Sequence, residues 1–122
     1  MKQFLVIANV SSQRRVADRA EVATTLWRRL TGLLTRHSLE AGEAMMFPRC
    51  HSIHTWGMRF SIDVVFLRGP RVVKAVTGLG PCRFAWAPGA DAVLELPVGT
   101  IAAASIQPDA LLQWSAKAEK KT

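Results

Sequence analysis

The sequence is poor in the features that mark several specialised classes of protein. Among 122 residues it has two cysteines, Cys50 and Cys82, too few for a disulfide framework. No apolar stretch approaches the roughly eighteen uninterrupted residues that a membrane-spanning helix needs. Hydrophobic residues make up 49% and charged residues 20%, which are ordinary values for a globular chain. We expect one soluble domain over residues 1–116 and a frayed, charged tail over 117–122.

A recognisable export signal is also lacking. The start, MKQFLVIANV, has a lysine and an apolar run, but only residues 4–10 could form the apolar region of a signal peptide. Arg14 and Arg15 follow soon after, and no small-residue cleavage site is apparent. We interpret the run as a first β-strand. The prediction is therefore a cytoplasmic protein with reduced thiols and no membrane partner.

Acidic residues are scarce, with nine Asp and Glu against sixteen Lys and Arg, for a net charge of +7. Most of the excess lies in the first third, which has Asp18 and Glu21 but also the basic residues Lys2, Arg14, Arg15, Arg19, Arg28, Arg29 and Arg36. Such a charge suits nucleic acid or an acidic protein surface. No run of aromatic residues interleaves with these arginines, as a single-strand stacking platform would require. A solubilising surface is the favoured interpretation, and nucleic-acid binding is an alternative.

Apolar patterning predicts an α+β fold that is mostly β. Alternation predicts six strands, near 4–10, 15–22, 61–68, 71–78, 91–96 and 110–115. In TTLWRRLTGLLTR the leucines recur at helical spacing and predict one principal helix near 25–36. AMMF and SIHTWGM are interpreted as short extended pieces, LGPCRFAWAPGA as a loop, and TIAAASI as a short helical turn.

Four segments in this order resemble the domain of unknown function 192 family: RRLTGLLTR, GEAMMF, CHSIHTWGMRFSIDVVFL and VLELPVGT. The sequence departs from the family pattern at Ser61, where many relatives have proline, and in QPDALLQW, which lacks a glycine-aspartate turn. The resemblance implies a small bacterial or archaeal domain with one principal helix packed against a curved or barrel-like, mainly antiparallel sheet. It implies no chemistry, because the family has no established activity.

Asp63 is the first candidate for a functional residue. Strand periodicity places it on one face with Ser61, Val65 and Leu67. Because Val65 and Leu67 are apolar, the carboxylate of Asp63 needs a hydrogen-bonding or charged partner there. The favoured interpretation is structural, either an ion pair with Arg29 or Arg36 or acceptance of backbone N–H groups from the 54–58 turn. The alternative makes Asp63 a polar anchor in a ligand cleft or a general base.

Cys50, His51 and His54 suggest a metal site, because thiolate and imidazole are good zinc ligands. In an extended strand, however, only Cys50 and His54 share a face, and Cys82 is the most plausible third ligand. Cys50 as nucleophile with His54 as base and Asp63 as orienting group is a further alternative. Neither is favoured, so no metal, cofactor or catalytic residue is predicted, and a buried cysteine with a turn-capping histidine is the expected arrangement.

The tryptophans at Trp56 and Trp86 fall in segments predicted to be irregular, where an indole either covers the core or meets a partner. We predict a non-catalytic binding or accessory module for a small ligand or a protein, present as a monomer or weak dimer. Its cleft or loop surface should contain His54, Trp56, Met58, Asp63 and Trp86, supported by Arg29. A metal- or thiol-dependent hydrolase using Cys50, His54 and Asp63 is the alternative, followed by nucleic-acid binding through the basic first third.

Overall fold

A computed structural model describes residues 3–23 and 38–117. Nine strands lie in these two ranges, and a single helical turn, α1, covers Thr100–Ala103. The strands, from β1 to β9, are Gln3–Asn9, Arg14–Val22, Glu43–Pro48, Ser52–His54, Ile62–Arg68, Arg71–Leu79, Phe84–Trp86, Ala92–Pro97 and Leu112–Ala116. The mostly β prediction is confirmed, as is the short helical turn in TIAAASI. The principal helix predicted near 25–36 lies outside the described residues, as do most of the predicted tail and Arg29.

Seven strands form one curled sheet in the order β6-β5-β8-β3-β2-β1-β9. All neighbouring pairs in it are antiparallel except β2 and β3, which run parallel. The two edge strands meet at one end, where Arg71 bridges Leu111 and the N–H of Leu112 donates to the carbonyl oxygen of Pro70 at 2.8 Å. The sheet is therefore a half-barrel, as expected for a curved, mainly antiparallel sheet.

Apolar side chains pack on both sides of this sheet. The inner core contains residues from both edge strands, including Val72 and Leu112, and it is enclosed by the curl. The outer core lies on the opposite face and includes Phe47, Ile62 and Phe66. Strand β5 contributes to both, because its alternate side chains point to opposite faces. Val65 and Leu67 enter the inner core, as the predicted face assignment requires, while Ile62, Val64 and Phe66 enter the outer core.

Two predictions about local structure are wrong. The segment predicted as a loop contains strand β7, which pairs with β4 to form a separate two-stranded sheet. Strand β2 does not alternate regularly, since neighbours Val16 and Ala17 are both buried. The register between β1 and β2 shifts on either side of Ile7, and this irregularity turns Ala17 toward the core.

Across the two described ranges, no helix is long and apolar enough to cross a membrane.

Candidate functional site

The small sheet of β4 and β7 brings together aromatic residues that are far apart in the sequence. Its register pairs Ser52 with Trp86, Ile53 with Ala85, and His54 with Phe84. The middle pair is buried in the outer core. Because side chains alternate along a strand, the residues on either side of this pair point outward. The sheet thus rests on the half-barrel with one apolar side and presents the other to solvent.

Four rings make up this outward surface, which we call the aromatic face: His54, Trp56, Phe84 and Trp86. The exposed fraction is 65% for Trp56, 58% for Phe84 and 52% for Trp86, unusually high for such large apolar groups. The centroids of His54 and Trp56 are 5.3 Å apart, and those of Phe84 and Trp86 are 5.4 Å apart. Both pairs are tilted, so each leaves ring surface open to a ligand.

Thr55 fixes the two halves of this surface against each other. Its side chain is fully buried, and its hydroxyl donates to the carbonyl oxygen of Gly80 at 2.6 Å while accepting the N–H of Arg83 at 2.8 Å. The backbone N–H of Thr55 also donates to the carbonyl oxygen of Arg83 at 2.9 Å. The N–H groups of Met58 and Cys82 both donate to the carbonyl oxygen of Thr55. The turn after β4 and the loop before β7 are therefore held together by one buried residue.

Cationic groups adjoin the aromatic face. The ammonium of Lys74 on β6 lies 5.7 Å from the Trp86 ring centroid and donates to the carbonyl oxygen of Trp86 at 3.0 Å. Arg83, which is exposed, directly precedes Phe84. Residues 44–90 contain one acidic residue, Asp63, and six exposed basic ones, Arg49, Arg59, Arg68, Arg71, Lys74 and Arg83. Lys74 therefore places a positive charge beside the aromatic face.

Asp63 lies away from the aromatic face and has a structural position. Only 1% of it is exposed, and its carboxylate accepts backbone N–H groups from Gly78 at 2.9 Å, Gly99 at 3.0 Å and Ile101 at 3.0 Å. The prediction of backbone donors was right in kind, but the predicted donors in the 54–58 turn were wrong. A carboxylate on β5 instead satisfies free N–H groups at the start of α1 and at an irregularity in the β5–β6 register. The predicted partners Arg29 and Arg36 lie outside the described residues.

Met58 lies beneath the aromatic face instead of within it. It is 7% exposed and belongs to the outer core, so it supports the turn that carries Trp56. Three of the six predicted binding residues, His54, Trp56 and Trp86, therefore meet on one surface. Phe84 and Lys74 join them, although sequence reasoning missed both. Phe84 could have been found from the alternation in RFAWA, which places it two residues before Trp86 on the same side of a strand.

Cys50 and Cys82 occupy different environments in the part of the chain that the structure describes. The thiol of half-buried Cys50 donates to the carbonyl oxygen of Ser52 at 3.0 Å, while Cys82 is exposed. Asp63 shares its face with inner-core residues, whereas His54 belongs to the sheet that covers the outer core. These positions place Asp63 and His54 on opposite sides of the half-barrel sheet. Within residues 3–23 and 38–117, no three His, Cys, Asp or Glu side chains are grouped as metal ligands.

Glu95, which the sequence analysis includes only as part of the family segment VLELPVGT, is a buried acidic residue. It is 5% exposed and lies between Leu94 and Leu96 on β8, opposite Met45 and Val64. Burial raises the pKa of its carboxyl from 4.5 to about 8, so the group is mainly protonated at neutral pH. The sequence signal for this burial was the pattern LEL in a predicted strand. If such a strand is covered on both faces, neither face reaches water and the glutamate is buried.

Two shallow hollows lie apart from the aromatic face. One, of about 470 Å³, is lined by residues around α1 and the start of β2, among them Arg15, Val98 and Thr100. The other, of about 380 Å³, lies between the β1–β2 turn and residues 105–110. Neither contains a predicted binding residue.

Comparison with known proteins identifies the family. The model of the DUF192 family, described as an uncharacterized ACR, matches residues 6–114. The chain belongs to the DUF192 family. A UPF0127 protein of Thermococcus sibiricus is 31% identical over 121 residues, which cover 94% of this chain and 78% of the relative. The family resemblance inferred from the four sequence segments is thus confirmed.

Solved structures share the fold of this DUF192 protein. A protein of unknown function from Novosphingobium aromaticivorans matches with a TM-score of 0.76 at 25% identity, over 91% of this chain and 84% of that one. A proposed transcription regulator from Sinorhizobium meliloti matches with a TM-score of 0.79 at 19% identity, over 93% and 94% of the two chains. The second likeness shows a common architecture alone.

Proposed function

We propose that this DUF192 protein is a non-catalytic binding module whose contact surface is the aromatic face. The observation that carries the proposal is the outward display of Trp56, Phe84 and Trp86 on one side of a sheet anchored to the core. Exposing three large rings together is unfavourable in water, and such patches mark interaction sites. Tryptophan in particular supplies much of the binding energy at interfaces.

Rigidity supports the same role. On β7, Ala85 lies between Phe84 and Trp86 and is buried, so the strand that carries these two rings is anchored to the core. Thr55 holds the neighbouring turn with hydrogen bonds from both its side chain and its backbone. A surface held in one conformation loses little conformational entropy when a partner binds. The face therefore combines contact area with pre-organisation.

Catalysis by the predicted hydrolase residues has less support. Hydrolysis by a thiol requires the base within hydrogen-bonding distance of the nucleophile. The Cys50 thiol is directed to the carbonyl oxygen of Ser52, and the Asp63 carboxylate is occupied by three backbone N–H groups. A binding role uses the exposed rings and does not require a nucleophile and a base within hydrogen-bonding distance of each other.

The proposal is tested by presenting the purified protein with immobilised ligands of different classes: single-stranded and duplex oligonucleotides, acidic peptides, oligosaccharides and anionic vesicles. The test variant replaces Trp56, Phe84 and Trp86 with alanine, and Trp114→Ala on β9 is the matched control. We expect the wild type and the control to bind one class of ligand, and we expect the affinity of the triple variant for that class to be lower by about tenfold or more. Absence of retention, or equal retention by the triple variant, contradicts the proposal.

The proposal includes a cytoplasmic location and a monomeric or weakly dimeric state. Both cysteines are free thiols, which a reducing compartment would maintain. Fractionation of the source cells tests the location, and sedimentation equilibrium tests the association state. Recovery outside the cytoplasm, or a stable higher oligomer, would contradict this part.

A further inference from the structure

We propose that the aromatic face binds single-stranded nucleic acid by stacking bases on its rings. This inference rests on the proposed function, because it names the partner of the same surface. It differs from binding through the basic first third, whose described arginines, Arg14, Arg15 and Arg19, lie on β2. Of these, Arg14 donates to the carbonyl oxygen of Ala103, and Arg19 lies over the ring of Phe4.

The spacing of the rings fits successive unpaired bases. Phe84 and Trp86 are two residues apart on β7, so their side chains point the same way, and their ring centroids are 5.4 Å apart. His54 is directly opposite Phe84 on β4, and Trp56 follows two residues later. Outward rings on adjacent strands of a sheet are a recurring platform for bases that are splayed apart.

The charge around the face matches a phosphate backbone. The ammonium of Lys74 lies 5.7 Å from the Trp86 ring centroid, and exposed Arg83 directly precedes Phe84 in the chain. The single acidic residue of 44–90 is Asp63, whose carboxylate is buried and bound to N–H groups. Exposed Asp91 directly follows this segment, and its carboxylate accepts the N–H of Gly69 at 3.0 Å in the turn between β5 and β6. Aromatic rings combined with nearby cations are the elements of sequence-tolerant single-strand binding.

Other partners fit the side chains less well. Residues 44–90 contain no Asn, Gln or Glu, so this segment lacks the amide and extended carboxylate groups that could hydrogen-bond to the hydroxyls of a sugar. An acidic peptide would use the cations but not the open ring surfaces. Duplex DNA hides its base faces by internal stacking, so its contacts would be limited to the phosphates.

Fluorescence anisotropy with labelled oligothymidylate, oligouridylate and a hairpin duplex tests the inference on the full chain. We expect both single strands to bind more tightly than the duplex by about tenfold or more. Trp56→Ala, Phe84→Ala and Trp86→Ala should each weaken single-strand binding about fivefold to hundredfold, the range for loss of one base stack. Trp86→Phe should retain most of the affinity, since it keeps a ring, and Trp114→Ala should match the wild type.

Salt dependence supplies a second readout. If about three phosphates are contacted, raising NaCl from about 50 mM to about 200 mM should weaken binding about twentyfold. Lys74→Gln should lower the slope of log Kd against log[NaCl] by at most about 0.7, the contribution of one phosphate contact to a single strand. Circular dichroism and melting temperature establish that every variant is folded.

The outcomes separate this inference from the proposed function. Absence of single-strand binding, equal affinity for the duplex, or unchanged affinity in the ring variants overturns the nucleic-acid inference. Binding of vesicles, acidic peptide or oligosaccharide that depends on the three rings would overturn it as well but would leave the binding-module proposal standing. Failure of every class of ligand would remove both.

Discussion

Asp63 and Ile101 are joined by a buried hydrogen bond of 3.0 Å, in which the Ile101 N–H donates to Oδ2 of the carboxylate. The same oxygen accepts the N–H of Gly99, and the other oxygen accepts that of Gly78. One side chain on β5 thus ties β6 and the start of α1 to the strand next to the sheet edge. It replaces the side-chain cap that α1 itself lacks.

Asp63→Asn should destabilise the protein, because the amide NH₂ group cannot accept a hydrogen bond from a backbone N–H. At least one buried donor would lose its partner, and the remaining bonds would lose their charge. We expect the free energy of unfolding to fall by about 3 kcal/mol, measured by urea denaturation. Asp109→Asn, at an exposed position, is the control and should be nearly neutral. An unchanged stability for Asp63→Asn would show that the carboxylate does not hold these elements.

Thr55→Val should loosen the aromatic face, since valine keeps the shape of threonine but loses its hydroxyl. The carbonyl oxygen of Gly80 and the N–H of Arg83 would each lose a partner. We expect a loss of about 1–3 kcal/mol in stability, with faster hydrogen exchange at the amide of Arg83. Thr55→Ser retains the hydroxyl and should preserve the protection of this amide better. Equal exchange rates in the two variants would argue against the hydroxyl as the restraint.

Glu95→Gln should stabilise the protein increasingly as the pH rises. In the unfolded chain the carboxyl ionises near its usual pKa of 4.5, whereas burial holds the folded pKa at about 8. The folded state thus binds more protons between these values, so this residue's contribution to stability falls by up to about 1.4 kcal/mol per pH unit. Glutamine stays neutral, and its advantage should grow from about pH 5 to about pH 8 and then level off. Melting curves check this, with exposed Glu40→Gln as the control, and an advantage independent of pH would contradict it.

Gly99→Ala should be destabilising although there is room for a methyl group. Gly99 has a φ of 98°, and an added Cβ would meet nothing within 4 Å, so the cost comes from the backbone conformation. We expect a loss of about 1–2 kcal/mol in thermal or urea unfolding. The matched control is Gly80→Ala, where φ is not positive and the nearest atom, Ser61 Oγ, lies 3.8 Å away. Similar losses in the two variants would rule out backbone strain as the cause.

Sequence reasoning was most successful where one local pattern controls the structure. The alternation around Asp63 assigned its face correctly, and the strands predicted near 61–68 and 71–78 are found as β5 and β6. It failed where distant segments decide the outcome. Phe84 becomes part of a surface because β7 pairs with β4 about thirty residues earlier, a register that no local pattern encodes. The donors to Asp63 were missed for the same reason, since Gly99 and Ile101 reach it through the β5–β8 pairing.

The placement of the rings on a small sheet outside the half-barrel separates recognition from architecture. Ile53 and Ala85 anchor this sheet, while the side chains on its other side have no part in filling the interior. Substitution of the outward rings is therefore expected to leave the scaffold intact, so that the proposed contact surface can be changed without changing the fold.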